Sequence, residues 1–142
     1  RAPGYRLHLL ALFLQLLTDL ARYYQDSPRK PSAQLVQLGA VISKIEQDYA
    51  LPLTIRELAE IANMSERHLA RRFREGVGLS PIDYLLHRRI RHAAQLLRAT
   101  GHSIAGVAAA VGMPDSNYFA RQFKRIMGVS PREYRRDGLH ER

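Results

Sequence analysis

A chain of 142 residues suits one compact domain with an accessory segment, or two very small domains. Its 46% hydrophobic and 25% charged residues are globular values and exclude a disordered or collagen-like chain. The absence of Cys excludes a disulfide framework, thiolate metal sites and a Cys nucleophile, and a reducing cytosol is the easier fit.

The net charge of +9 is unevenly spread. Residues 1–50 hold six basic and four acidic side chains, residues 51–142 sixteen and nine. That second excess points to a polyanion, most simply nucleic acid. Only Lys30, Lys44 and Lys124 among the 22 basic residues are Lys. The Arg bias supplies planar forks that grip guanine edges and phosphates at two points.

Residues 7–17, LHLLALFLQLL, superficially resemble a signal peptide, but His8 and Gln15 interrupt the run and no small-residue cleavage site follows. Asp19 and Arg22 end it short of the ~20 apolar residues that a membrane span requires. Leu9, Phe13, Leu16, Leu20 and Tyr23 lie four, three, four and three apart, a helical seam, with Leu10, Leu14, Leu17, Ala21 and Tyr24 beside it. Residues 1–25 are therefore read as an amphipathic helix that needs cover, either its own domain or, through Leu9, Phe13, Leu16 and Leu20, a second copy. The chain begins at Arg1 without Met, so this helix is expected to be the tail of an upstream domain. Residues 26–33, DSPRKPSA, read as a linker. Residues 34–138 form the main domain and 139–142 a tail.

Next comes an amphipathic helix carrying Leu35, Leu38, Val41, Ile42, Ile45 and Tyr49. It precedes an internal repeat. Ile55, Leu58, Ala59, Ala62 and Met64 match Ile104, Val107, Ala108, Val111 and Met113 at an offset of 49. Leu69, Ala70, Arg71, Phe73, Gly78, Ser80, Pro81 and Tyr84 match Phe119, Ala120, Arg121, Phe123, Gly128, Ser130, Pro131 and Tyr134 at an offset of 50, so one residue is inserted in the second turn.

Each copy carries the signals of two helices and a tight turn. Thr54 with Glu57 makes a capping box, and a helix runs to about Ala62. Asn63 ends it, Ser65 caps the next, and that helix runs to about Glu75 with Gly76 and Gly78 beyond. In the second copy Ser103 caps the first helix, Gly112 takes the turn, and Asp115 or Ser116 caps the second helix. Small residues Ala59 and Ala108 allow the close helix approach of a helix-turn-helix. The outer faces are Arg67, Arg71 and Arg74 in one copy, and Asn117, Arg121, Lys124 and Arg125 in the other. Between the copies, Ser80-Pro81 opens a helix with a stripe of Ile82, Leu85, Leu86, Ile90, Ala93, Leu96 and Leu97. At ~18 residues and roughly 27 Å, such a rod suits two reading helices about one DNA turn, ~34 Å, apart. Ser130-Pro131-Arg132-Glu133 opens a last short helix.

LTIRELAEIANMSERHLARRFREGVGLSPIDYLLHRRI and SIAGVAAAVGMPDSNYFARQFKRIMGVSPREYRR together resemble the DNA-binding domain of AraC/XylS-type bacterial transcription regulators. The second stretch is the more specific, through Tyr118-Phe119, Arg121, Phe123-Lys124, Gly128-Val129-Ser130-Pro131 and Tyr134-Arg135. It departs at Met113, where the family usually has Phe, and at Pro114 in the turn.

The resemblance implies an all-α fold of about seven helices, with two helix-turn-helix units on a central linker helix. It also implies sequence-specific binding of promoter double-stranded DNA in successive major grooves. By position, Arg67, Ala70 and Arg71 would meet bases from the first reading helix, and Ser116, Asn117 and Arg121 from the second. Chemically, Arg suits guanine O6/N7 and Asn suits adenine N6/N7. Arg74, Arg88, Lys124 and Arg125 suit phosphates. Arg89 matches a frequent family Arg in the linker helix, or serves as a structural ion-pair residue. Arg72 is open between a DNA role and a plain surface one.

The resemblance further implies a cytoplasmic, nucleoid-associated regulator, an activator that contacts RNA polymerase. A small-molecule effector would be bound by a domain outside this chain, and the protein would be a possible homodimer. No cofactor, metal or membrane partner is expected. His87 and His92 are five apart, on different sides of a helix, and no HExxH, GxSxG or phosphate-cradling loop occurs. The one enzyme class that couples this domain to DNA-repair methyl transfer needs an acceptor Cys, so no enzyme is expected. The competing readings are a sequence-independent nucleic-acid binder and a helical protein-interaction module.

Overall fold

The computed structural model describes residues 14–19, 22 and 33–140. The chain divides into two compact units, residues 1–34 and 35–142. In the first, residues 14–19 and Arg22 are helical, and Leu14, Leu16 and Leu17 are exposed, Leu16 at 64%. Leu9, Phe13 and Leu20, the other residues of the expected self-association seam, lie outside the described residues.

Among the described residues of the second unit, helices are the only regular secondary structure, joined by short turns. Its elements are α1 (Ala33–Asp48), α2 (Ile55–Ile61), α3 (Glu66–Val77), α4 (Pro81–Ala99), α5 (Ile104–Ala110), α6 (Ser116–Met127) and α7 (Pro131–His140). The duplication makes two similar three-helix halves, α1–α3 and α4–α6, and α7 repeats the opening of α4. α4 packs against α2, α3, α5, α6 and α7 and so joins the halves.

Helix boundaries follow from the caps. Thr54 Oγ1 accepts from Glu57 N, and the Glu57 carboxylate accepts from Thr54 N at 2.8 Å, a complete capping box. The Thr54 N–H and the Thr54 Oγ1–H both donate to the Glu57 carboxylate at 2.8 Å and hold it below the usual carboxylate range. Asn63 turns the chain at φ 55° and Gly112 does so at φ 76°. The turn bonds also match: Met64 N donates to Ala59 O at 3.0 Å and Met113 N to Ala108 O at 2.9 Å. The inserted residue lies between α5 and α6, where Asp115, not Ser116, is the cap and accepts from Asn117 N and Tyr118 N. α3 runs past Glu75 to Val77 and ends on left-handed Gly78, so Gly76 is inside the helix.

Each half has its own core. Val41, Ile45, Leu58, Ala59, Ala62, Leu69, Phe73 and Leu85 fill the first. Ile90, Ala93, Ala94, Leu97, Val107, Ala108, Val111, Met113, Phe119 and Phe123 fill the second. Met113, at the position that departs from the family pattern, is buried there; an unbranched thioether fills an irregular gap well. Two expected core residues are not core. Leu35 is 63% exposed, because the buried stripe of α1 begins a turn later at Leu38. Ile82 is 42% exposed, because it faces a groove between the halves.

The halves meet at residues 49–51. Tyr49 packs against both cores. Arg88 lies over its ring at 4.5 Å and the His92 ring meets it edge-on at 5.1 Å. Arg89 donates to Tyr49 O and Leu51 O, each at 2.7 Å.

Candidate nucleic-acid interface

α3 and α6 are each twelve residues long, capped at both ends, and anchored by two buried residues, Leu69 and Phe73 or Phe119 and Phe123. Burying that stripe turns the opposite face outward. Arg67, Arg71 and Arg74 are exposed on α3, with Ala70 half-buried among them. Ser116, Asn117, Arg121, Lys124 and Arg125 are exposed on α6.

Ion-pair partners separate the paired cations from the unpaired ones. Arg56 pairs with Glu60, Arg72 with Glu75, and Arg88 with Glu46. Arg67, Arg71, Arg74, Arg121, Lys124 and Arg125 pair with no carboxylate among the described residues. Six cations on two exposed helix faces that form no ion pair among the described residues make an anion-seeking surface. Each face combines forked donors with short polar or methyl side chains, the set that reads base edges in a major groove.

Two linker-helix arginines are placed elsewhere. Arg88 Nε donates to Glu46 Oε2 at 2.6 Å, while Tyr84 donates to the other oxygen of that carboxylate at 2.9 Å. With the Tyr49 ring also under its guanidinium, Arg88 fastens α1 to α4 instead of joining the exposed cations, which does not favour its expected phosphate role. Sequence spacing gives no sign of this, since Glu46 is 42 residues away. Arg89 is structural through backbone carbonyls, not an ion pair, and burial pushes its guanidinium below the usual value. Arg72, paired with Glu75, has its Nε sheltered and without a hydrogen-bond partner.

Spacing in the sequence assigns Tyr118 neither to the buried stripe nor to the outer face of its helix. It is 41% exposed on the flank of α6, beside Gln122 and Arg125. Its signal in the sequence is its departure from the buried period set by Phe119 and Phe123. Among the described residues, no group of three His, Asp or Glu could hold a metal ion, and no helix is long and apolar enough to cross a membrane.

A family profile described as a helix-turn-helix domain matches residues 58–137. The MmsAB operon regulatory protein of Pseudomonas aeruginosa is 42% identical over 136 residues, covering 95% of this chain and 44% of that protein. The transcriptional activator RhaR of Pectobacterium atrosepticum is 38% identical over 131 residues, covering 92% of this chain and 46% of that protein. The chain thus spans less than half the length of these curated relatives. Among solved structures, the DNA-binding domain of AdpA, a global transcriptional factor, in complex with a target DNA has a TM-score of 0.71 at 29% identity, covering 75% of this chain and 96% of that one. A Chromobacterium violaceum regulator described by an AraC-type DNA-binding domain has a TM-score of 0.67 at 29% identity, covering 72% and 92%.

Proposed function

The chain belongs to the AraC/XylS family of helix-turn-helix transcription regulators, and from that premise we propose that it is the DNA-reading part of one. α3 and α6 enter successive major grooves on one face of a duplex. The observation that carries this reading is the pair of matched helices whose outward cations lack carboxylate partners. α4, with 19 residues and so roughly 28 Å long, suits a spacing of about one DNA turn between them.

Arg67, Ala70 and Arg71 on α3, and Ser116, Asn117 and Arg121 on α6, face base edges. Arg74, Lys124 and Arg125 face phosphates. On a preferred duplex, Arg121→Ala is expected to cost ~1–3 kcal/mol of binding and to relax preference at one base pair. Lys124→Ala is expected to weaken preferred and random DNA alike and to reduce the salt slope by about one. Titrations at several salt concentrations separate the two. Equal losses on both DNAs for Arg121→Ala would contradict its role.

We read the native protein as a cytoplasmic activator without catalytic activity. An upstream effector-binding domain, an RNA polymerase contact and self-association through the apolar N-terminal helix belong to the same reading. Its support is the exposed Leu14, Leu16 and Leu17 and the extra length of the relatives. A one-chain mass for the full-length protein in sedimentation would remove the self-association.

A further inference from the structure

We infer that the groove between the two halves seats a backbone phosphate of the DNA strand that passes between the reading helices, held directly by Arg125 and Tyr118. This rests on the DNA-binding reading and adds a contact that the duplication does not foretell.

The groove encloses about 350 Å³. One side is α6, through Tyr118, Gln122 and Arg125; the other is the start of α4, through Ile82 and Asp83, with Arg89 in its lining. A helix turns 100° per residue, so 118, 122 and 125 form the stripe next to the outward stripe of 117, 121 and 124, which carries the base-facing Asn117 and Arg121. A helix ≈10–12 Å wide nearly fills a major groove ≈12 Å wide, so its flanks lie against the two sugar-phosphate walls. The flank turned toward the first half therefore meets the wall that separates the two occupied grooves.

Charge in the groove favours an anion. Arg125 has no carboxylate partner among the described residues, and neither does the half-buried Arg89, which is held only by two carbonyls. Asp83 is the one acid in the lining, and it already accepts from Ser80 Oγ at 2.6 Å. Tyr118 brings an O–H donor, and Gln122 has a sheltered carboxamide oxygen with no partner, so its amide can turn its N–H2 to the same anion.

The corresponding flank of α3 is different. His68, Arg72 and Glu75 stand where Tyr118, Gln122 and Arg125 do, and Arg72 pairs with Glu75 at 3.5 Å. That flank neutralises itself, so only the second half offers a phosphate seat on this side.

The test uses the 142-residue chain and a duplex selected from a random pool. Single neutral methylphosphonate linkages are placed one at a time along the stretch between the two preferred boxes. At one or two of these linkages, affinity is expected to fall roughly tenfold, the loss of one charge-assisted contact. In Arg125→Ala those same linkages are expected to be nearly silent and the salt slope to fall by about one, with a smaller relief in Tyr118→Phe. If all intervening linkages are silent in the unmodified chain, or equally costly in the two variants, while the selected duplex still outcompetes random DNA, the phosphate seat is wrong and the DNA reading stands. If no duplex outcompetes random DNA, the reading and the seat fall together.

Discussion

Phe123→Ala is expected to destabilise the chain by ~3–5 kcal/mol, a large part of the roughly 5–15 kcal/mol that holds a small domain folded. The Phe123 side chain is fully buried, 5.6 Å from the Phe119 ring and 5.5 Å from the Tyr134 ring between centroids. It lies among the residues contributed by α4, α5 and α6, so the cavity left by its removal has rigid walls on several sides. The damage should fall first on the second half, because the first has a separate core built around Phe73. Denaturant unfolding followed by circular dichroism measures the loss. Selectivity at the box read by α6 should fail before that at the box read by α3. A loss below about 1 kcal/mol would mean that the ring is not a core residue.

Gly112→Ala is the second large effect, expected to cost about 2–4 kcal/mol. Two causes add. Gly112 sits at φ 76°, a left-handed backbone that costs a residue with a Cβ roughly 1–2 kcal/mol. A Cβ there would also collide with the backbone carbonyl of Ala50, which has no flexible end to move aside. Gly128 is the control, since at φ 82° it carries the same strain with open space around its Cβ position. Gly128→Ala should therefore cost only the strain, and the difference between the two variants measures the collision. Ala50 lies in the 49–51 segment that joins the halves, so Gly112→Ala should also disturb the spacing between the two DNA boxes. Equal costs for the two variants would show that the second half does not press on that segment.

Much of the fold is legible in the sequence because its signals are local. The capping residues Thr54, Ser65, Ser80 and Ser103 and the turn residues Asn63, Gly112 and Gly128 act within a few residues of themselves, and the structure uses each as spacing suggests. Repetition helps further, since Phe73 beside Tyr84 and Phe123 beside Tyr134 are one packing solution used twice, at 5.7 and 5.5 Å.

What periodicity does not carry is the joint between the copies. Glu46 with Arg88, and Tyr49 with Arg89, pair across about 40 residues, and no local pattern distinguishes such an Arg from one left in solvent. Tyr118 and Ile82 show the same limit from the other side. Both look like core residues by type, and both line a groove that exists only because two cores sit side by side. The reading faces follow from the buried stripes opposite them, whereas the flank of α6 needs the groove to be seen.

The central claim is that one chain reads two successive major grooves through α3 and α6. Selection of binding sites from a random duplex pool at near-physiological salt tests it most directly. The account predicts two short preferred boxes centred about 10 base pairs apart. With Arg121→Ala, preference should relax in one box and persist in the other. A binding curve that falls steeply with salt and enriches no sequence would contradict the claim, leaving a basic surface that grips any duplex.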